Sequence, residues 1–191
     1  MAMTATVSKK LDFRPVTAAN AADFEALFMA PGGPKFCWCM VWRATAAEGR
    51  GQHTSSEKRH DQMLARIAGG MPVGLLAYDA GLPVAWVSIA PKATYQRLKG
   101  PDPSPGEVVW SLACMFARRQ WRGQGIAHQL IAAAVAYARS EGANVVEAYP
   151  VAPDAPSYRF MGFVPAFERA GFEAAGMAGK RRHVMRLSMG R

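Results

Sequence analysis

The chain has 191 residues, an apolar fraction of 50%, a charged fraction of 19% and a net charge of +9, which describes one ordinary globular domain long enough to bury a core. Three cysteines without a secretory leader exclude a disulfide framework, and no run of 18 apolar residues is present to span a membrane. The positive charge suits an anionic ligand such as a polyphosphate, or a basic surface without a specific role. Nucleic acid is not expected as a partner, because no recognition motif is present and the basic residues are scattered, apart from Lys180-Arg181-Arg182. Lys9 and Lys10 are not followed by an apolar segment, so a cytoplasmic location is expected. Residues 1–10 are expected to form a flexible N-terminus ahead of a single domain from 11 to 191.

Leu11 to Val16 predicts a first strand. Thr17 caps a helix to Met29, with Phe24, Leu27 and Phe28 at helical spacing. Pro31-Gly-Gly-Pro34 breaks the chain, and the aromatic segment Phe36 to Arg43 follows. Thr54 and Glu57 fit a capping box for a second helix, ended by Gly69-Gly70. Val73 to Asp79 and Val84 to Ala90 flank a turn and predict a hairpin. Val108 to Phe116 reads as a buried strand, Ile126 to Ser140 as a helix and Asn144 to Tyr149 as a further strand. A short helix from Phe163 to Ala170 and a closing hairpin complete the order β-α-α-β-β-β-α-β-α-β-β. The strand–helix–strand unit demands a parallel pair with a right-handed crossover, and the hairpins demand antiparallel ones. An α/β, mixed-sheet domain of three layers is expected.

Between the Val108 strand and the Ile126 helix lies Gln120-Trp-Arg-Gly-Gln-Gly125. Such a turn aims several backbone N–H groups at one point, at the positive end of a helix dipole, and so suits a phosphate. A Walker loop is excluded because no Gly-Lys-Ser/Thr follows, and a dinucleotide fingerprint lacks its third glycine and its acidic residue.

This turn, the strand Gly142-Ala-Asn-Val-Val-Glu-Ala-Tyr149 and the segment Ala166-Phe-Glu-Arg-Ala-Gly-Phe172 together resemble the GNAT superfamily of acyl-CoA-dependent N-acyltransferases. The first matches the family's Gln/Arg-x-x-Gly-x-Gly/Ala turn, and the third its Leu-Tyr-Glu-Lys-Leu-Gly-Phe. The resemblance runs from Leu11 to Leu187 and is weakest between Phe36 and His60.

The resemblance implies acetyl transfer from acetyl-CoA to a primary amine by direct attack. It places backbone groups of Arg122, Gly123, Gln124, Gly125, Ile126 and Ala127 on the coenzyme A pyrophosphate, with side-chain charge from Arg119 and Arg122. Backbone groups of Cys114, Met115 and Phe116 would pair with the pantetheine arm and orient the acetyl carbonyl. The family often forms dimers, its acceptors are small-molecule or peptide amines, and no membrane partner is implied.

Direct attack needs an unprotonated amine. Glu107 is the candidate base, with a solvated strand-entry residue as its ordinary alternative; Glu147 is the other carboxylate, and is equally half of a structural ion pair. The family's usual acid is a tyrosine where this chain has Phe167, which has no proton to give. Tyr149 and Tyr158 flank the same connection and are the candidate substitutes. Phe36, Trp38 and Trp42 are candidates to line the acceptor cleft, where aromatics and sulfur suit an apolar amine; core packing is their ordinary alternative. Cys37 and Cys39, with His53 and His60 at a spacing unlike zinc, give no expectation of a metal. The departure at Phe167 leaves a competing class open, a catalytically silent acyl-CoA-binding domain.

Overall fold

A computed structural model describes residues 10–49 and 54–190. Residues 1–9, which carry most of the expected flexible segment, and His53 lie outside the described residues. The strands are β1 (Asp12–Pro15), β2 (Leu75–Asp79), β3 (Leu82–Pro91), β4 (Val109–Ala117), β5 (Val145–Ala148), β6 (Glu173–Ala178) and β7 (Arg182–Ser188). The helices are α1 (Ala21–Met29), α2 (Ser56–Ala68), α3 (Ile126–Ser140) and α4 (Val164–Arg169). They occur in the order β1-α1-α2-β2-β3-β4-α3-β5-α4-β6-β7.

The strands form one seven-stranded sheet, ordered β1-β2-β3-β4-β5-β7-β6. β4 and β5 run parallel, joined across α3, and the neighbouring pairs are antiparallel. Period-two alternation sends Ala85, Val87, Leu112 and Val146 against Leu130, Ile131 and Ala134 of α3. The opposite face carries Leu76, Tyr78 and Trp86 against Phe24, Leu27 and Phe28 of α1 and Met63 and Ile67 of α2. Both layers are built by helices whose apolar residues recur on one stripe. In the second layer the Phe24 ring lies 4.1 Å from Phe28 and 5.1 Å from Trp86. Burying one such ring stabilises the fold by about 1.5–3 kcal/mol.

Two local expectations change. The second helix is capped by Ser55, whose hydroxyl accepts from Lys58 N at 3.1 Å, and not by Thr54, which is buried. The helix starts one residue later than the Thr54–Glu57 box implies, because Ser55 satisfies the third amide equally well. The first helix opens with a 3-10 turn at Ala18–Asn20, where Thr17 and Asn20 form a reciprocal cap.

Two irregularities in β4 position the site. The β3–β4 register shifts so that Ser88 faces Cys114 while Ile89 faces Leu112. The extra residue, Ala113, reverses the alternation: Leu112 packs with α3, whereas Cys114 packs with Trp86 on the other face. β4 and β5 pair only from Val109↔Val145 to Leu112↔Ala148. Past Ala148 the chain swings away, and Val151 bridges to Phe163 and Arg182. Residues 113–117 of β4 therefore keep an edge that no described strand covers on the β5 side.

Candidate active site

The glycine-rich turn stands at the end of β4. Gly125 is the N-cap of α3 with φ 76°, and Gly123 has φ 74°. Both conformations disfavour a side chain, and a Cβ at either position would meet nothing within 4 Å. The turn is thus open above the first amides of α3, which have no acceptor within the helix. Arg122 Nε donates to Ala117 O at 2.9 Å and pins the turn to the strand end. Gln124 Nε2 donates to Gln120 O at 2.7 Å and closes the turn on itself.

Below the turn runs a groove of about 170 Å³, lined by Met115, Phe116, Ala117, Arg122, Ile126 and Ala127 on one side and by Arg159, Phe160, Gly162 and Ala166 on the other. A Cβ on Gly162 would lie 2.6 Å from Met115 Cε and 2.8 Å from Phe167 Cε2, so only glycine lets this segment approach β4. Five of the residues expected at the donor, Met115, Phe116, Arg122, Ile126 and Ala127, share this groove. Gly123, Gln124 and Gly125 form the turn at its head.

The uncovered β4 edge also borders a second cavity, of about 240 Å³. Its walls include Phe36, Cys37, Cys39, Val41 and Trp42 from the aromatic segment, Ser88 from β3, Ala113 and Cys114 from β4, and Tyr158 and Phe160. Met115 and Phe116 line both cavities. Phe36 and Trp42, two of the aromatics expected at an acceptor cleft, line this cavity. Trp38 does not: it is 3% exposed, stacks on Phe28 at 5.4 Å and 13°, and donates from Nε1 to Ser56 Oγ at 3.2 Å. Trp38 and Cys39 have φ values of 46° and 54°. This left-handed pair breaks the local alternation and turns Trp38 into the core.

The Cys37 and Cys39 thiols are held protonated. Cys37 donates from Sγ to Pro34 O at 3.4 Å, and Cys39 accepts from Trp86 Nε1 at 3.1 Å. Interaction with Cys39 and burial push the Cys37 thiol well above its ordinary range, and interaction with Cys114 pushes Cys39 upward. Such thiols are poor nucleophiles. Among the described residues no group of three or more His, Cys, Asp or Glu can hold a metal ion.

Two expected catalytic residues are placed away from both cavities. Arg186 donates to Glu107 Oε2 at 2.7 Å and to Oε1 at 3.1 Å, and Ser104 N donates to Oε2 at 2.8 Å. The Arg186 guanidinium holds the Glu107 carboxyl below the usual carboxylate range, the wrong direction for a base. Tyr149 is fully buried; its hydroxyl contacts Glu147 and donates to Lys99 O at 3.0 Å. Burial first and the Glu147 charge second push this phenol far up, so it cannot give a proton readily. Glu147 itself is 0% exposed and paired with Lys92 Nζ at 2.6 Å and Arg186 Nε at 3.2 Å. It is the centre of an ion network that ties β5 to β7 and to the loop after β3. Glu107→Gln is accordingly expected to leave acetyl-transfer rates from pH 6 to 9 within about twofold of the wild type, measured as thiol release.

Tyr158 is different. It is 38% exposed, lines the larger cavity beside Met115 and Phe116, and has φ 61°. A non-glycine residue there stores on the order of 1 kcal/mol of backbone strain, held by Met161 N donating to Tyr158 O at 2.9 Å. Phe167, at the family's tyrosine position, is fully buried and packs edge-on against Phe172 at 5.2 Å.

Three residues of the cavity surroundings were not foreseen from the sequence. Ser88 lines the floor. Arg43, 0% exposed, lies behind it and donates from Nη2 to Ser88 Oγ at 2.9 Å, Tyr95 Oη at 2.7 Å and Val73 O at 2.7 Å. Arg182, 6% exposed, lies 4.4 Å from the Trp42 ring centre. The only signals for the arginines were the residue that ends the aromatic segment and the one basic cluster, Lys180 to Arg182.

The profile described as the Acetyltransferase (GNAT) family matches residues 38–163. No curated protein matches by sequence. Solved structures share the fold. The GNAT domain of S. lividans PAT superposes with TM-score 0.57 at 16% identity, covering 94% of this chain and 90% of that one. The ribosomal-protein-alanine N-acetyltransferase from Brucella melitensis gives 0.55 at 22%, covering 94% and 100%. The PaiA N-acetyltransferase from Thermoplasma acidophilum, solved with coenzyme A, gives 0.53 at 10%, covering 94% and 99%. The match spans most of the aromatic segment, α2, β2 to β5, α3 with its turn and the approach to α4, so the chain belongs to the GNAT acetyltransferase family.

Proposed function

We propose that this chain transfers an acetyl group from acetyl-CoA to a primary amine by direct attack. One observation carries the reading: the uncovered edge of β4 joins an amide-rich helix start to an apolar cavity. Acetyl-CoA supplies a thioester, an activated acetyl group on a tolerable leaving thiolate. The residues present fit it. The hollow over Gly123 and Gly125, where a Cβ meets nothing, takes the pyrophosphate on the amides of Arg122 to Ala127, with Arg122 adjacent. The backbone groups of Cys114, Met115 and Phe116 receive the pantetheine arm as an added strand. A backbone N–H of this edge polarises the acetyl carbonyl.

The larger cavity holds the amine. Neither cavity is lined by an Asp, Glu or His among the described residues. The chain therefore selects an amine that arrives unprotonated, or one that loses its proton through water. The new C–N bond forms as the C–S bond breaks, and the Tyr158 hydroxyl delivers the proton that the departing sulfur takes up. The amine's surplus proton leaves to solvent and restores the phenol.

Tyr158→Phe tests this role. Its kcat in thiol release is expected to fall by about 100-fold or more, within the usual span for loss of a general acid, while the KM for acetyl-CoA changes little. An unchanged kcat would remove Tyr158 from the chemistry. Acetyl-CoA binding without turnover on any amine would favour the silent binding domain instead.

A further inference from the structure

The acceptor cavity has an electrostatic signature that the transfer reaction alone does not require. Its walls are apolar and aromatic, with Phe36, Trp42, Tyr158 and Phe160 around the opening. Every charged side chain that the structure ties to those walls, among the described residues, is a cation. Arg43 reaches the floor through Ser88. Arg59 Nη1 donates to Phe36 O at 2.6 Å. Arg122 faces the Phe116 ring. Arg182 stands over Trp42 at 4.4 Å and Tyr158 at 5.7 Å.

Two of these cations are buried with no carboxylate partner among the described residues. Arg43 is fully buried, and its partners are a carbonyl, hydroxyls and the Tyr95 ring at 4.2 Å. Arg182 donates from Nη1 to Leu98 O at 2.9 Å and faces the rings of Trp42, Tyr149 and Tyr158. Neutral partners satisfy donors, but they do not neutralise charge, and a desolvated cation is costly unless an anion faces it. The solvated side of Arg182 opens into a further cavity shared by Tyr158, Gly179, Lys180 and Arg181. Tyr158 lines both that basic cavity and the aromatic one.

We infer that the acceptor is an aromatic amine of low basicity carrying a carboxylate at the end remote from its nitrogen. Its ring fills the aromatic cavity, its neutral nitrogen points along β4 to the thioester, and its carboxylate pairs with Arg182 beside Tyr158. The inference rests on the acetyl-transfer reading of the same site. It explains two features together. A positive, acid-free cavity repels alkylammonium groups, so the amine enters already deprotonated. A weakly basic aryl nitrogen in turn needs no carboxylate base, and none lines the cavity.

The test uses the full-length wild-type chain with acetyl-CoA and three probes: aniline, 4-aminobenzoate and benzylamine. Product is identified by mass spectrometry and kcat/KM obtained for each. 4-Aminobenzoate is expected to exceed aniline by about tenfold or more, the worth of one charge-assisted hydrogen bond, with benzylamine slowest at neutral pH. Benzoate is expected to compete with the acceptor, and toluene to compete more weakly. In Arg182→Met the KM for 4-aminobenzoate is expected to rise about tenfold. If that variant does not fold, the wild-type ratios decide. Equal kcat/KM for aniline and 4-aminobenzoate, or preference for benzylamine, overturns the inference and leaves acetyl transfer standing. Acetyl-CoA binding with no N-acetyl product from any probe or other amine overturns the acetyl-transfer reading beneath it.

Discussion

Gly123→Glu is expected to weaken acetyl-CoA binding by at least about 100-fold while the protein stays folded. Two effects separate cleanly. The left-handed φ of 74° at Gly123 strains any side chain by about 1–2 kcal/mol, which lowers stability. The open space around the position means that the new side chain meets no protein atom, so the fold has no steric reason to collapse. What it meets is the ligand. A carboxylate placed about 4 Å from a phosphate charge costs about 4 kcal/mol at an effective dielectric near 20, and the side chain also fills the hollow. Gly123→Ala is the control: it takes the backbone strain without the charge, and its affinity is expected to fall much less. Calorimetric titration with acetyl-CoA on variants of verified circular dichroism measures both. Wild-type affinity in a folded Gly123→Glu would show that the turn does not hold the pyrophosphate.

Glu147→Gln is expected to have the largest effect on stability and little on the chemistry of the folded fraction. Glu147 is fully buried and balances Lys92 and Arg186, whose side chains are 17% and 19% exposed. Removing the buried carboxylate charge leaves Lys92 without this counter-ion, while Arg186 keeps Glu107, and costs roughly 3 kcal/mol. For a chain of this size that lowers the melting temperature by roughly 6–12 °C. The position 3.1 Å from an added Gly100 Cβ shows how tightly the loop after β3 closes on this group. Thermal melting measures the loss, and thiol release at a temperature well below the transition measures catalysis. A large fall in kcat with unchanged melting would make Glu147 part of the reaction after all.

The donor half of this protein was legible in its sequence for a physical reason. An apolar run, two glycines and an amphipathic helix are local features, and local features fix a strand, a turn and a helix start in succession. Residues Met115 to Ala127 are therefore found close to where the pattern puts them. The acceptor half depends on what is brought together from afar. Trp38 and Trp42 sit four residues apart in one aromatic segment, yet one packs into the core on Phe28 and the other lines the cavity. Positive φ values at Trp38 and Cys39 decide this, and no residue type in Trp-Cys demands them. Glu107 stood at a strand entry, but its partner Arg186 lies in β7, and only the β5–β7 pairing reveals that the carboxylate is occupied. Tyr149 and Tyr158 were equivalent in sequence. The bend after β5 buries the first beside Glu147 and leaves the second at the cavity mouth. The capping residue at Ser55 shows the same limit at small scale, since neighbouring hydroxyls compete for the same amides.

The β4 edge, the amide-rich turn and the apolar cavity make one claim: this fold carries an acetyl group from acetyl-CoA to an amine. The most direct measurement is to incubate the purified chain with acetyl-CoA and an amine panel, and to identify products by mass spectrometry alongside thiol release. Enzyme-dependent, saturable formation of an N-acetyl product in step with free thiol, and its loss in Gly123→Glu, is the predicted result. Tight acetyl-CoA binding with no amine acetylated would contradict it.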